Sequence, residues 1–387
     1  MPAPADTLPD VIAREIQAAG GWLPFDRFMA LALYAPGLGY YAGHAPKFGA
    51  LPASGSDFIT APELSPLFGR ALAAQVAQAL AATGTNEVWE FGAGSGALAE
   101  QVLNELASLG QPVARYGIVE LSATLRQRQR QRLAAHTAVV HWADALPSAL
   151  SGVLLGNEVL DAMPVQLLAR THGQWHERGV ALADEFKPFR PPARTDSAAE
   201  AIKNEAPRFI WQDRPTPLRP PIEVPGTHDY VTERHPQACA FIATVAERLR
   251  AGSGGAAFFI DYGFPEAEYW HPQRASGTLV CHRAHRVDDD PLADVGHKDI
   301  TAHVDFTGIA LAAQDAGLHV LGYTSQARFL LNCSIATMME AADLPTRANT
   351  MKLLAEHEMG ELFKVIALGT HEWAPRGFAL GDRTHRL

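Results

Sequence analysis

Residues 86–106, NEVWEFGAGSGALAEQVLNEL, run a short apolar strand into a turn holding Gly92, Gly94 and Gly96, then straight on into a helix. Glycine takes a backbone to positive φ and lets it approach a bound group with no Cβ in the way. The helix that follows offers unpaired N–H groups at its first turn. A strand–glycine turn–helix unit of this kind belongs in an open, doubly wound α/β sheet, where ligands sit beyond the carboxyl ends of the strands.

The rest of the chain supplies the other units. ARYGIVE, AVVHWAD and SGVLLGNE read as further strands, with the basic segment TLRQRQRQRLA as a helix between the first two. Later, PQACAFIATVAERLR reads as a helix, GGAAFFIDYG as a buried strand, DFTGIALAAQDAG as a helix and FKVIALG as a late strand. Nearly continuous apolar strands alternating with helices imply a mostly parallel sheet covered on both faces. Ser65-Pro66 is an N-cap with proline at the first helical position, and Gly84 closes that helix. Residues 165–230 break the alternation with a hairpin pattern, PVQLLARTHGQWHERGVAL, and proline-rich basic stretches. The expected layout is an N-terminal helix and lid over 1–64, a first half of the core over 65–164, an inserted subdomain over 165–230, and the second half with a C-terminal extension over 231–387. The lid expectation rests on residues 36–60, which carry many glycines and prolines with Tyr40, Tyr41, Phe48 and Phe58 as seals.

Composition narrows the partners. Acidic residues outnumber basic ones by ten in 387, which disfavours nucleic acid and anionic membrane as ligands. On that ground the arginines of TLRQRQRQRLA read as a solvated face. No apolar run approaches the roughly 20 residues that span a bilayer. Cys239, Cys281 and Cys333 form no CxxC pair, and the N-terminus shows no leader, so a soluble cytoplasmic protein is the expectation, with a mitochondrial one less favoured.

The glycine pattern alone also satisfies a dinucleotide fingerprint through Gly92, Gly94 and Ala97. Acids at the strand ends decide between cofactors. Glu90, at the end of its strand, would repel a pyrophosphate but suit the ammonium of a methionine moiety. Glu120 ends the next strand, where a carboxylate can take both ribose hydroxyls, and lies 28 residues beyond Gly92 rather than the roughly 20 typical of NAD units. Asp144 closes the third strand, a natural place to meet adenine. The set reads as a pocket for S-adenosyl-L-methionine (SAM), with an NAD-dependent oxidoreductase as the disfavoured alternative.

Glu158 and Asp161 in GNEVLDAMP end the fourth strand on the same edge. Two carboxylates three residues apart can clasp a guanidinium. Methyl transfer to arginine needs such help, because the acceptor and the sulfonium donor are both cations. Asp261 and Tyr262 end the fifth strand, and with His303 are candidates for lining the acceptor side. Thr60-Ala61-Pro62-Glu63 fits a capping box. No metal is implied.

Gly39-Tyr40-Tyr41, DFITAPELSPLFG (57–69), EFGAGSGAL (90–98), YGIVELSATLRQRQ (116–129), GNEVLDAMPV (156–165), IDYG (260–263) and DITAHVDFT (299–307) together resemble the MidA family of class I SAM-dependent methyltransferases, whose mitochondrial member is a complex I assembly arginine methyltransferase. The resemblance is spread over most of the chain. It departs at Cys281-His282-Arg283 and over 184–220. It implies Asn157, Thr60 and Pro62 beside the cofactor, a protein substrate that a respiratory-complex subunit would fit, and a homodimer with the insertion as interface. A SAM-binding assembly chaperone without catalysis is the alternative that intact cofactor motifs leave open.

Overall fold

A computed structural model describes residues 6–43, 59–183, 207–283 and 286–387. Most of the expected lid (44–58) and the EFKPFRPPAR stretch lie outside the described residues.

The central sheet has eight strands, in the order His319–Ser325, Phe363–Gly369, Gly254–Phe264, Ser151–Asn157, Glu87–Phe91, Arg115–Val119, Val140–Ala143, with the short Val304–Asp305 strand paired to the end of Gly254–Phe264. The five strands from Gly254–Phe264 to Val140–Ala143 are parallel, and Phe363–Gly369 runs against both of its neighbours. The expected mostly parallel doubly wound sheet is therefore present. The strand at His319–Ser325, absent from the sequence reading, fills the edge, and a bulge interrupts its register between Val320 and Gly322.

Both faces are covered, as the apolar strands require. One face packs against the helices Pro66–Thr83 and Ala97–Ser108, with Phe68, Leu72, Val102 and Tyr116 at zero exposure. The other packs against Pro236–Ala251 and Phe306–Asp315 through Ile242, Val245, Phe259 and Ile309. Ser65 caps the first of these helices by accepting from the Leu67 N–H, and Gly84 ends it at φ 65°.

The segment after the fourth strand forms a second, antiparallel sheet. Gln166–Thr171 and Gln174–Leu182 make the hairpin, flanked by Tyr230–Arg234 and Phe209–Pro215. Leu23–Pro24 joins this sheet beside Gly179 and Val180, so the N-terminal helices Leu8–Ala18 and Phe25–Tyr34 share a core with the insertion. A third sheet of three short strands, Arg286–Asp288, Val280–Arg283 and Asp299–Thr301, closes against that same core. Its alternation matters: Cys281 and Ile300 point into the core while Val280, His282, Asp299 and Thr301 face a cavity.

Candidate active site

A cavity of about 930 Å³ opens at the carboxyl ends of the central strands, the place where open α/β sheets bind ligands. Glu90, Gly92, Gly94, Glu120, Asn157, Glu158, Asp161, Thr60, Pro62, Tyr262 and His303 all line it. The structure thus gathers most of the residues singled out from sequence around one space.

The glycine turn forms the floor. Gly92, Gly94 and Gly96 have φ of 65°, 51° and 85°. A Cβ at Gly92 would meet Val159 Cγ2 at 2.9 Å, so the turn admits no side chain there. Gly96 starts the Ala97–Ser108 helix and lies just behind the lining rather than in it. Glu90 is buried, and the Tyr116 hydroxyl donates to it at 2.6 Å. Burial pushes its carboxyl up to about 7, against the pull of that hydrogen bond. The desolvation of Glu90 is therefore met partly by a protein partner, where sequence pointed to the ligand alone.

Glu120 keeps the position expected for a ribose clamp. Its two oxygens accept from the Ser122 N–H (2.8 Å) and from Gln129 Nε2 (3.1 Å), which leaves lone pairs on both for further donors. Gln129 also donates to the Gly94 carbonyl, and Trp142 Nε1 donates to Gln129 Oε1 at 2.8 Å. This buried glutamine ties the glycine turn to Glu120; nothing in its place within a polar run distinguishes it by sequence.

Three expectations change here. Asp144 is outside the cavity: its side chain is 89% exposed and pairs with Arg126 at the protein surface. The strand end that carries it turns outward, and the carboxylate follows the nearest cation. The basic helix Ala123–Arg132 is more than a solvated face. Arg126 donates to the carbonyls of Glu120 and Ala143, and Arg132 to Glu63 at 2.9 Å and Ser95 at 2.5 Å, so both arginines brace the cavity wall. Finally, Thr60 makes no side-chain cap bond. Glu63, the would-be capping-box partner, reaches across to Ser95 and Arg132 instead and fastens the 60–63 turn to the glycine loop.

The second constellation sits at the end of Ser151–Asn157. Gly156 admits that strand against Phe259, whose ring would lie 2.6 Å from a Cβ. Glu158 follows at φ 54°, an unusual conformation for a residue other than glycine, asparagine or aspartate. Asp261 holds the turn that results: its Oδ2 accepts from the N–H groups of Val159 (3.1 Å), Leu160 (2.9 Å) and Asp161 (3.3 Å). Asp261 is 1% exposed and does not line the cavity, so it acts on the turn beneath, not at the cavity surface where sequence had put it.

Glu158 and Asp161 emerge from this turn as neighbours, Glu158 half-buried and Asp161 buried. Burial, then the Asp161 charge, pushes the Glu158 carboxyl up to about 8, while Asn157 Nδ2 donates to it at 2.9 Å. Burial likewise raises Asp161, with a Tyr262 hydrogen bond opposing. Asp161 Oδ1 and Asn157 Oδ1 are buried acceptors with no partner among the described residues. Buried polar atoms are rarely left so, and these two mark where ligand donors belong. The His303 ring lies 5.0 Å from Tyr262 and stacks on Phe264, and burial lowers it to about 4, so it is a neutral wall at physiological pH.

Sequence reasoning missed Asp299 and Tyr34 as cavity residues, although Asp299 lies within a block that carried the family resemblance; Tyr41, expected as a seal of the lid, does line the cavity. Both oxygens of Asp299 accept from the Tyr41 hydroxyl, across 258 residues of chain. Alternation in a three-residue strand is too short a signal to find it.

These parts are compatible with SAM: a glycine cradle, a strand-end acid with lone pairs left on both oxygens, and acceptors at the far side without partners among the described residues. Comparison with known proteins agrees. The family model described as "Putative S-adenosyl-L-methionine-dependent methyltransferase" matches residues 71–324. A solved structure of a Burkholderia thailandensis protein bound to S-adenosyl-homocysteine is 48% identical, with a TM-score of 0.89 over 98% of this chain and 96% of that one. The mitochondrial protein arginine methyltransferase NDUFAF7 of Danio rerio is 26% identical over 90% of this chain and 84% of its own length, and its Mus musculus counterpart 27% over 89% and 80%. These relatives are mitochondrial by name, which overturns the cytoplasmic expectation drawn from the N-terminus and the cysteines. With a family match across more than half its length and a near relative holding the demethylated cofactor, this chain belongs to the MidA-like family of SAM-dependent methyltransferases.

Proposed function

We propose that this methyltransferase acts on an arginine side chain of a partner protein, with Glu158 and Asp161 as its catalytic residues. The observation that carries the reading is two carboxylates on one tight turn at the edge of the cofactor cavity, Glu158 half-buried and Asp161 buried with an oxygen that has no partner among the described residues. The names of the curated relatives point the same way.

SAM, when bound, supplies an activated methyl group on a sulfonium. The glycine turn and Asn157 hold its methionine end, and Glu120 its ribose. Glu158 and Asp161 orient the guanidinium so that one nitrogen faces the methyl group, and their charge offsets two cations brought together away from water. As the acceptor nitrogen is methylated it must lose a proton. A carboxylate raised by burial and ionised by the two cations brought beside it is a suitable place for that proton. Asp261 keeps the turn in shape, and Tyr262 and His303 wall the acceptor side.

The same reading takes the antiparallel sheet of the insertion as the platform for the protein partner, a respiratory-complex subunit by resemblance, and the active species as a homodimer; light scattering at micromolar concentration tests the latter. The decisive experiment is transfer of a tritiated methyl group from SAM to lysate proteins, followed by amino-acid analysis of the labelled band. Label on methylarginine supports the proposal. Label on another residue, or none with an acceptor-rich lysate, overturns it, and the second result favours a SAM-binding assembly factor.

A further inference from the structure

The inserted sheet reaches the acceptor end through a buried acid that does not itself line the cavity. Glu233 lies in the Tyr230–Arg234 strand with no exposed surface. One of its oxygens accepts from the N–H groups of Thr278 (2.8 Å) and Leu279 (3.1 Å), and the other from the hydroxyls of Tyr269 (2.9 Å) and Thr278 (3.0 Å). Gly277, at φ 74°, lets the chain wrap the carboxylate this closely, since a Cβ there would stand 2.4 Å from Glu233 Oε1. Donors thus converge on both oxygens, which an amide could not match. The single hydroxyl hydrogen of Thr278 is committed to Glu233, so its oxygen lone pairs are turned elsewhere.

They meet His303. Val280 pairs with Thr301 across the antiparallel third sheet, and the same register continued by two residues brings Thr278 opposite His303. There the Thr278 hydroxyl, in place of a backbone carbonyl, accepts from the His303 N–H at 3.1 Å. The preceding residue faces the other way: Ala302 donates its N–H to the Asp161 carbonyl at 3.0 Å. The His303 ring packs edge-on to Tyr262, and Tyr262 hydrogen-bonds the Asp161 side chain. Residues 302 and 303 therefore hold Asp161 by its backbone and, through Tyr262, by its carboxylate, while Thr278 fixes where those two residues lie. Misplacing a reacting group by about 1 Å can cost on the order of a hundredfold in rate. We propose that Thr278, aimed by Glu233, is a positioning residue that sets Asp161 for methyl transfer, an inference that rests on the role given to Asp161 above.

The test measures tritiated-methyl transfer from SAM to lysate proteins in fixed excess, with affinity of the full chain for S-adenosyl-homocysteine reporting that each variant is folded. Thr278→Val puts a methyl group where the hydroxyl was and leaves the His303 N–H without its acceptor. It should lower turnover about tenfold while the KM for SAM stays within about twofold. Thr278→Ser keeps the hydroxyl and should bring turnover back to within about twofold of wild type. A merely structural role would lower the melting temperature and leave both kinetic constants of the folded protein alone. In an Asp161→Asn background, Thr278→Val should cost no more than about a further twofold, because the group it positions is already disabled. If Thr278→Val fails the folding check, Glu233→Gln, whose amide must turn an N–H toward one pair of those donors, must still lower turnover. Full turnover in folded Thr278→Val beside a slow Asp161→Asn, or the same tenfold loss in both backgrounds, overturns the role of Thr278 and leaves Asp161 standing. Full turnover in Asp161→Asn, or no transfer by the wild type, brings both down.

Discussion

The two ends of the cavity are built in different ways. The end around the glycine turn, proposed for the cofactor, comes mostly from consecutive strand–turn–helix units: the glycine turn, Glu120 and Gln129 all lie between residues 90 and 129. The acceptor end is assembled from pieces far apart in the chain, with Tyr34 and Tyr41 near the start, Glu158 and Asp161 in the middle, and Asp299 and His303 late. The first can be made by any chain that forms the local unit. The second exists only when three sheets dock in register, so it is the part that separate evolution of substrate choice can alter without touching cofactor binding.

The sharpest way to break this division is at Glu158 and Asp161. Glu158→Gln and Asp161→Asn keep shape and remove charge. Each should lower methyl transfer about a hundredfold or more, the scale of losing one preorganised charged partner, while SAM affinity stays within a few-fold. Single-turnover rates beside calorimetry separate the two. A matching loss of SAM affinity would mean that the two ends are one site and that the division is wrong.

At the cofactor end, Glu120→Ala should weaken SAM binding by roughly 10- to 100-fold, since it removes a carboxylate able to take two hydroxyls. The turnover number at saturating SAM should change little. A fall in turnover without a change in affinity would place Glu120 on the acceptor side instead.

Glu90 sharpens the comparison through pH. Burial raises its folded-state value to about 7 from the ordinary 4.5. An acid raised on folding contributes stability that is full below its unfolded value and is lost as pH rises through the folded one. Wild-type stability should therefore decline between pH 4.5 and 7 by on the order of 1–3 kcal/mol from this group. Glu90→Gln can still accept from the Tyr116 hydroxyl and holds no charge, so it should melt higher than wild type at pH 8 and about equally at pH 5. Equal melting at both would show the carboxylate to be well solvated in the folded protein.

Legibility from sequence follows the same division. The strands could be anticipated where apolar runs alternate with helices, because a buried parallel strand is nearly continuous in apolar residues, as VLLG is. His319–Ser325 escaped because a glycine and polar residues break its pattern at the bulge. The glycine turn, Glu90 and Glu120 were legible since backbone conformation and strand-end position are local properties. Asp261 was legible as a strand-end acid but not as the support of the 159–161 turn, which depends on two strands being neighbours. Tyr41 was legible as a lid aromatic and Asp299 as a member of a family block, but their contact was not, because 258 residues of separation leave no spacing to read.

The smallest expected effect concerns the residue that the structure moves out of the site. Asp144 closes the third strand, and position alone made it a partner for adenine. Its side chain is 89% exposed, and its visible role is an ion pair with Arg126. Exposed pairs of this kind contribute about 0–1 kcal/mol. Arg126 would keep its bonds to the Glu120 and Ala143 carbonyls without it, so the wall behind the ribose acid should stand. Asp144→Ala should accordingly change SAM affinity by no more than about twofold, with the change shrinking further at high salt as screening weakens what the pair contributes. Calorimetry at two ionic strengths measures both. A tenfold loss would mean that the end of the third strand turns inward when SAM binds, and that strand-end position was the better guide to this acid than the place where it now rests.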